Sequence, residues 1–269
     1  MSIGIFDSGV GGLTVAREIR RLLPGENIIY VGDTARVPYG TKTPEELLSF
    51  AREIIQFLLS KNVKAVVIAC GTSSAVTYNK LQEDFPDLPL IDVIRPGADE
   101  CAALIDSNPS TRLGVIATAA TIKSGLFSQL LTERCPGITI HARACPLFAS
   151  MVEAGVPVNH PAVAFAAETY LADLRGKIDA IVLGCTHYPL LTSVLTATLG
   201  NVDFINIGEA TAIAAKKQLA RLNLLSDSGI PPTYEFYVTG PTDVFNTVGS
   251  LILGQKFKKP PRQIDLCKL

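Results

Sequence analysis

The chain has 269 residues, 48% of them apolar and 18% charged, with a formal net charge of −1. That balance supports a sizeable buried core and excludes a disordered chain or an extended coiled coil. Lysine and arginine are spread along the sequence, so no basic face marks nucleic acid or an anionic membrane as a partner.

The apolar runs are strand-sized, far short of the roughly 20 residues a membrane-spanning helix needs. The start, MSIGIFDSG, lacks the basic region and long apolar stretch of a signal peptide. The expectation is a soluble, cytoplasmic protein. Six cysteines, Cys70, Cys101, Cys135, Cys145, Cys185 and Cys267, show no paired spacing and read as free thiols. The histidines His141, His160 and His187 form no ligand pattern with them, so no metal site is expected.

Short apolar runs alternate with longer amphipathic segments. Strands are predicted at Ser2–Asp7, Asn27–Gly32, Ala65–Ala69 and Leu88–Val93, with helices at Leu13–Leu23, Pro44–Ser60 and Ala75–Asp84. A second series follows Arg95-Pro96-Gly97: strands Leu113–Ala117, Ile138–Ala142 and Ala180–Gly184, helices Ile122–Leu131 and His160–Leu174, and a helix from Pro189. The tail offers a helix at Glu209–Leu222, a strand at Tyr234–Val238 and a helix at Val244–Leu253. The basic stretch Lys256, Lys258, Lys259 and Arg262, broken by prolines, reads as a solvated tail.

This alternation predicts an α/β fold of mainly parallel sheets flanked by helices. Strands as uniformly apolar as AVVIA suit a sheet covered on both faces. The two series resemble one another: AVVIA ends in Cys70 with Thr72 close behind, AIVLG ends in Cys185-Thr186, and IGIFDSG pairs with LGVIATA. Two pseudo-symmetric lobes facing each other across a cleft are the expected architecture.

Cys70 and Cys185 each follow a strand and precede a helix start, at the sheet edge where such folds hold ligands. A nearby helix N-terminus lowers a thiol's pKa from about 8.5. A lone buried cysteine is commonly an apolar filler; two in matching contexts point to function. Stereoinversion at a Cα needs such a pair, one group removing a proton from one face while the other delivers a proton to the opposite face. The loop Asp7-Ser8-Gly9-Val10-Gly11-Gly12 invites a phosphate-binding reading, but Thr14 stands where the third glycine of G-x-G-x-x-G belongs, and no P-loop ending follows. Glycines permitting a tight turn, with Asp7 and Ser8 facing the cleft, fit it better. Pro38-Tyr39-Gly40 reads as a turn. His187, two residues from Cys185, either tunes that thiol or packs as a core side chain, and Pro189 suits a first helical turn.

DSGVGGLTV, GDTARVPYG, ACGTSSA, CPLF with a later glutamate, and LGCTHYPLL, in this order, resemble the bacterial glutamate racemases, over Ile3 to about Gly254. The resemblance implies cofactor-independent interconversion of L- and D-glutamate, supplying D-glutamate for peptidoglycan. It implies Cys70 and Cys185 as the catalytic thiols, the first for the D-glutamate proton and the second for the L-glutamate proton. Asp7, Glu153 and His187 support them. Substrate contacts fall on Asp7, Ser8, Pro38, Tyr39, Gly40, Gly71, Thr72, Thr118, Thr121, Thr186 and His187. Residues 1–94 with 207–269 would form the first lobe and 95–206 the second, and a homodimer is compatible with the apolar content. The chains it resembles carry Asn-Thr after the first cysteine; here Gly71-Thr72 stands, removing a side-chain hydrogen-bonding group worth about 0.5–3 kcal/mol. No lysine sits in a setting that points to a pyridoxal Schiff base. Asp7 and His187 are expected to hold the thiols in usable protonation states. The rival readings are an aspartate racemase of the same chemistry, a binding or regulatory protein that keeps the cleft, and a nucleotide-dependent enzyme.

Overall fold

Runs such as IGIF and VKAVVI have no polar face to give to water, and they become strands buried on both sides. The computed structural model describes residues 1–226 and 229–266. In chain order the elements are β1 (Ser2–Asp7), α1 (Leu13–Leu22), β2 (Ile28–Gly32), α2 (Pro44–Ser60), β3 (Val63–Ile68), α3 (Gly71–Asp84), β4 (Leu90–Asp92) and α4 (Ile94–Ser107). Then come β5 (Leu113–Ala117), α5 (Ala119–Ser124), α6 (Leu126–Arg134), β6 (Ile140–Ala144), α7 (Pro146–Glu153), α8 (Pro161–Leu171), β7 (Ala180–Leu183) and α9 (Thr192–Leu199). The chain closes with β8 (Asp203–Ile205), α10 (Ile207–Arg221), β9 (Tyr234–Val238), α11 (Thr242–Leu253) and β10 (Arg262–Gln263).

Two parallel sheets result, one of six strands in the order β10-β9-β2-β1-β3-β4 and one of four in the order β6-β5-β7-β8. The cores of the two sheets are the same motif: β2-β1-β3-β4 maps onto β6-β5-β7-β8. The register places Phe6 opposite Ile68 in the first sheet and Ile116 opposite Leu183 in the second. Each sheet therefore has a switch point, between β1 and β3 and between β5 and β7, where connections depart to opposite faces and a crevice opens beyond the carboxyl ends. Cys70 follows β3 and Cys185 follows β7, at equivalent switch points.

Where the elements differ from the sequence reading, local chemistry gives the reason. Helix α4 runs through Arg95-Pro96-Gly97, because Pro96 lies in the first turn, where its missing N–H costs nothing. Asp92 Oδ1 accepts the N–H groups of Ile94 and Arg95 there. Gly125, at φ 69°, divides the single helix expected at 122–131 into α5 and α6. The eight-residue α7 and the three-residue β8 were absent from the prediction, being too short for a periodic signal. Nor is the basic tail wholly solvated: Arg262 and Gln263 extend the first sheet as β10, and Leu266 is buried. The five described cysteines are free, and Cys267 lies outside the described residues. Among the described residues, no helix is long and apolar enough to cross a membrane.

A buried ion pair ties the second half of the chain to the first sheet. Lys64 Nζ lies 2.5 Å from Glu26 Oε2, with both side chains almost wholly buried. Lys64 also donates to the Leu224 carbonyl, and Glu26 Oε1 accepts the Ser226 N–H at 2.7 Å. Lys64→Met leaves the Glu26 carboxylate buried without its cation, and the expected loss of unfolding free energy is about 3–5 kcal/mol. Urea unfolding followed by far-ultraviolet circular dichroism measures it, and a loss below about 1 kcal/mol would contradict a stabilising role for the pair.

Candidate active site

A cavity of about 220 Å³ lies between the carboxyl ends of the two sheets. It is smaller than the roughly 300–1,000 Å³ typical of pockets for drug-sized ligands, so it suits a small amino acid far better than a nucleotide. Both thiols line it. Cys70 is the N-cap of α3, where its sulfur accepts the Ser73 N–H at 3.5 Å. That contact and the Ser8 hydroxyl favour the thiolate, but burial is the largest influence, and with nearby Asp7 it pushes the Cys70 thiol well above its usual range. The sequence expectation of a lowered value thus fails at Cys70, because desolvation outweighs the helix terminus.

The glycine loop after β1 leaves space for side chains, Gly9 and Gly11 for those of the second lobe and Gly12 for those of the first. A Cβ on Gly9 would stand 1.9 Å from Glu153 Oε1, and one on Gly11 would stand 2.5 Å from His187 Nδ1. A Cβ on Gly12 would lie 2.4 Å from the Asp7 Cβ and 2.7 Å from the Tyr30 hydroxyl. With no side chains in the way, Glu153 at the end of α7 reaches across, and its Oε1 accepts the Val10 N–H at 2.7 Å. The same oxygen is 2.5 Å from His187 Nε2, and His187 Nδ1 is 3.4 Å from the Cys185 sulfur. Burial works against a charged His187, but Cys185 and Glu153 prevail and hold the imidazole well above its ordinary value.

Asp7 is fully buried, behind the cavity wall. Its Oδ2 accepts the Gly12 N–H at 2.8 Å and the Gly9 N–H at 3.3 Å, and its Oδ1 accepts from Thr186 Oγ1 at 3.4 Å. Burial raises its pKa, against the lowering pull of His187 and the two N–H groups. Across the cleft, Thr72 Oγ1 lies 2.8 Å from Thr118 Oγ1, which lies 2.9 Å from Thr121 Oγ1; Thr121 returns to Thr72 at 3.4 Å. These hydroxyls form a ring bridging the switch points of the two sheets.

Of the residues singled out in the sequence, Ser8, Pro38, Tyr39, Gly40, Cys70, Gly71, Thr72, Thr118, Cys185, Thr186 and His187 line the cavity. Asp7, Thr121 and Glu153 stand behind it, each bonded to a lining residue or its loop. The sequence reading missed one wall, formed by Pro146, Leu147, Ala149 and Ser150 of α7, together with Val37, Thr41 and Ala119. It also missed Asp33, which accepts from the hydroxyl of Tyr39, from Arg36 Nε at 2.7 Å and from Thr239 Oγ1 at 2.8 Å, and so fixes the Tyr39 ring at the cavity edge. The available signals were the CPLF and GDTARVPYG segments themselves. Among the described residues, no group of three or more His, Cys, Asp or Glu is arranged to hold a metal ion.

The family described as Asp/Glu/Hydantoin racemase matches residues 3–215. The glutamate racemase of Oceanobacillus iheyensis is 42% identical over 253 residues, covering 93% of this chain and 91% of that protein. The glutamate racemase of Francisella tularensis subsp. tularensis, solved in complex with D-glutamate, superposes with a TM-score of 0.89 at 36% identity, covering 100% of this chain and 98% of that one. A glutamate racemase isoform from Bacillus anthracis superposes with a TM-score of 0.89 at 38% identity, covering 98% and 97% of the two chains.

Glu153→Gln keeps an acceptor for the Val10 N–H but removes the charge beside His187. The titration midpoint of His187, followed by ¹⁵N-detected NMR and assigned by loss of its signals in His187→Asn, is expected to move to lower pH. An unmoved midpoint would show that Glu153 does not raise it.

Proposed function

Because this chain belongs to the Asp/Glu/Hydantoin racemase family, we propose that its cleft interconverts L- and D-glutamate without a cofactor, using Cys70 and Cys185 as opposed acid and base. The observation that carries this reading is the pair of buried thiols at equivalent switch points of two like sheets, both lining one small cavity. Binding alone requires no such pair.

In the L-to-D direction, Cys185 as thiolate takes the Cα proton and becomes a thiol. Cys70, kept as a thiol by burial and by Asp7, delivers its proton to the opposite face and becomes a thiolate. The D-to-L direction reverses both transfers, and proton exchange with solvent resets the pair. The surroundings match these starting roles, because Cys185 stands beside a histidine held protonated and Cys70 beside a carboxylate. Negative charge develops at Cα and spreads into the α-carboxylate, so donors aimed there lower the barrier. Ser8, Thr72, Thr118, Thr121, Thr186 and the backbone of Tyr39-Gly40 and Gly71 supply them. His187, Glu153 and Asp7 set the protonation of the thiols.

The same reading assigns residues 1–94 with 207–269 to one lobe and 95–206 to the other. It extends to a cytoplasmic homodimer that provides D-glutamate for peptidoglycan. Sedimentation velocity tests the dimer.

Purified protein in D₂O, given either enantiomer of glutamate and no added cofactor, should lose optical rotation while deuterium enters Cα. Cys70→Ser and Cys185→Ser should each slow racemisation on the order of 10²–10⁴-fold. No exchange with either enantiomer would overturn the reading, and exchange confined to aspartate would replace glutamate with that substrate.

A further inference from the structure

Tyr30 carries a buried hydroxyl that the proton transfers above leave unused. It lies in the middle of β2, opposite Ile5 of β1 and Phe236 of β9, and is 0% exposed. Its ring packs against Phe236 and Phe245, with centroids 6.2 and 5.8 Å away. A phenylalanine would fill that space with no hydroxyl to satisfy, so packing alone does not call for tyrosine. The hydroxyl donates to the Gly9 carbonyl at 2.7 Å. Burial, with Asp7 and Glu153 nearby, holds the phenol well above its usual range, so it stays a donor.

The Gly9 carbonyl belongs to the same peptide group as the Val10 N–H. The group is trans, so its C=O and N–H point in opposite directions. Tyr30 holds one end, and the other donates to Glu153 Oε1 at 2.7 Å. That oxygen also meets His187 Nε2, and His187 Nδ1 is 3.4 Å from the Cys185 sulfur. One line of polar contacts thus runs from inside the first sheet, through a single peptide plane, to a thiol of the second lobe. The plane needs an anchor, because glycine stands at 9 and at 11 and gives the segment little conformational preference. Gly32 completes its seat: a Cβ there would stand 3.0 Å from the Gly9 carbonyl oxygen.

We propose that Tyr30 is a positioning residue that fixes the Gly9–Val10 peptide and, through it, the seat of Glu153 on His187. This rests on the two-thiol reading above. Tyr30 is not among the residues that line the cavity, so it acts only through this peptide. A bond accepted at the carbonyl also polarises the amide and makes its N–H the stronger donor. Without the hydroxyl the plane is free to turn, which takes the Val10 N–H away from Glu153 and lets the carboxylate leave the imidazole.

Tyr30→Phe in the full chain keeps the ring and tests the hydroxyl. Its kcat is expected to fall about tenfold, with KM changed less than about threefold. In Glu153→Ala, which already lacks the acceptor, adding Tyr30→Phe should lower kcat less than about twofold further, whereas a purely structural tyrosine would cost the same in both backgrounds. NMR reads the peptide independently of activity. Labelling with ¹³C-carbonyl glycine and ¹⁵N-valine isolates the three Gly–Val amides, at Val10, Val115 and Val156, which Val115→Ile and Val156→Ile assign. In Tyr30→Phe the Val10 amide should move upfield and exchange faster with solvent, while the other two stay in place. Wild-type kcat in Tyr30→Phe overturns the proposal, and so do equal losses in the two backgrounds or an unmoved Val10 amide. Wild-type protein inactive on both enantiomers would overturn the racemase reading instead, and the Val10 amide would still decide whether Tyr30 holds the peptide.

Discussion

The site depends on how closely the main chain of the first lobe approaches the side chains of the second. Gly9 and Gly11 provide that approach by omission, since a Cβ at either would lie within 2.5 Å of Glu153 or His187. One carboxylate oxygen from α7 then serves both an N–H of the first lobe and an imidazole of the second. Separating the lobes withdraws Val10 from Glu153 and Thr186 from Asp7, and a buried polar group stripped of its partner is expensive. Closure and electrostatics are thus one arrangement, because the charge network is complete only when the lobes are together.

That network makes a symmetric backbone chemically asymmetric. Cys70 and Cys185 occupy equivalent positions on equivalent strands, yet one stands near a fully buried aspartate and the other 3.4 Å from a histidine. Burial raises Cys70, and the Asp7 charge acts in the same direction. At His187 burial acts alone against Cys185 and Glu153, and loses. The fold supplies two similar sites, and a few charged side chains give them different surroundings.

The repeat behind this arrangement was legible in the sequence because it lies in strands buried on both faces, whose apolar runs stand out from everything around them. The matched contexts of Cys70 and Cys185 followed from where those runs end. Elements with weaker signals were missed for identifiable reasons: α7 spans eight residues, and α4 carries a proline and a glycine in its first turn. The protonation of Cys70 was misjudged because the sequence displays a helix start but not the depth of burial around it. The partnership of Glu153 with the Val10 N–H joins positions 143 residues apart and has no local signature. The glycines that permit it were visible as a motif, whereas the side chains they make room for were not.

The threonine ring is a second bridge between the lobes, built from uncharged groups. Thr72 comes from the first lobe, Thr118 and Thr121 from the second, and their three hydroxyls satisfy one another around the ring. Each hydroxyl has a single proton to donate. With each proton directed at a neighbouring hydroxyl, the ring leaves no buried donor among the three without an acceptor. The bridge between the lobes is thus made of neutral groups on one side of the cleft, opposite the charged bridge that Glu153 makes to Val10 and His187. A carboxylate placed among those hydroxyls would be the stronger acceptor and would draw their protons from one another.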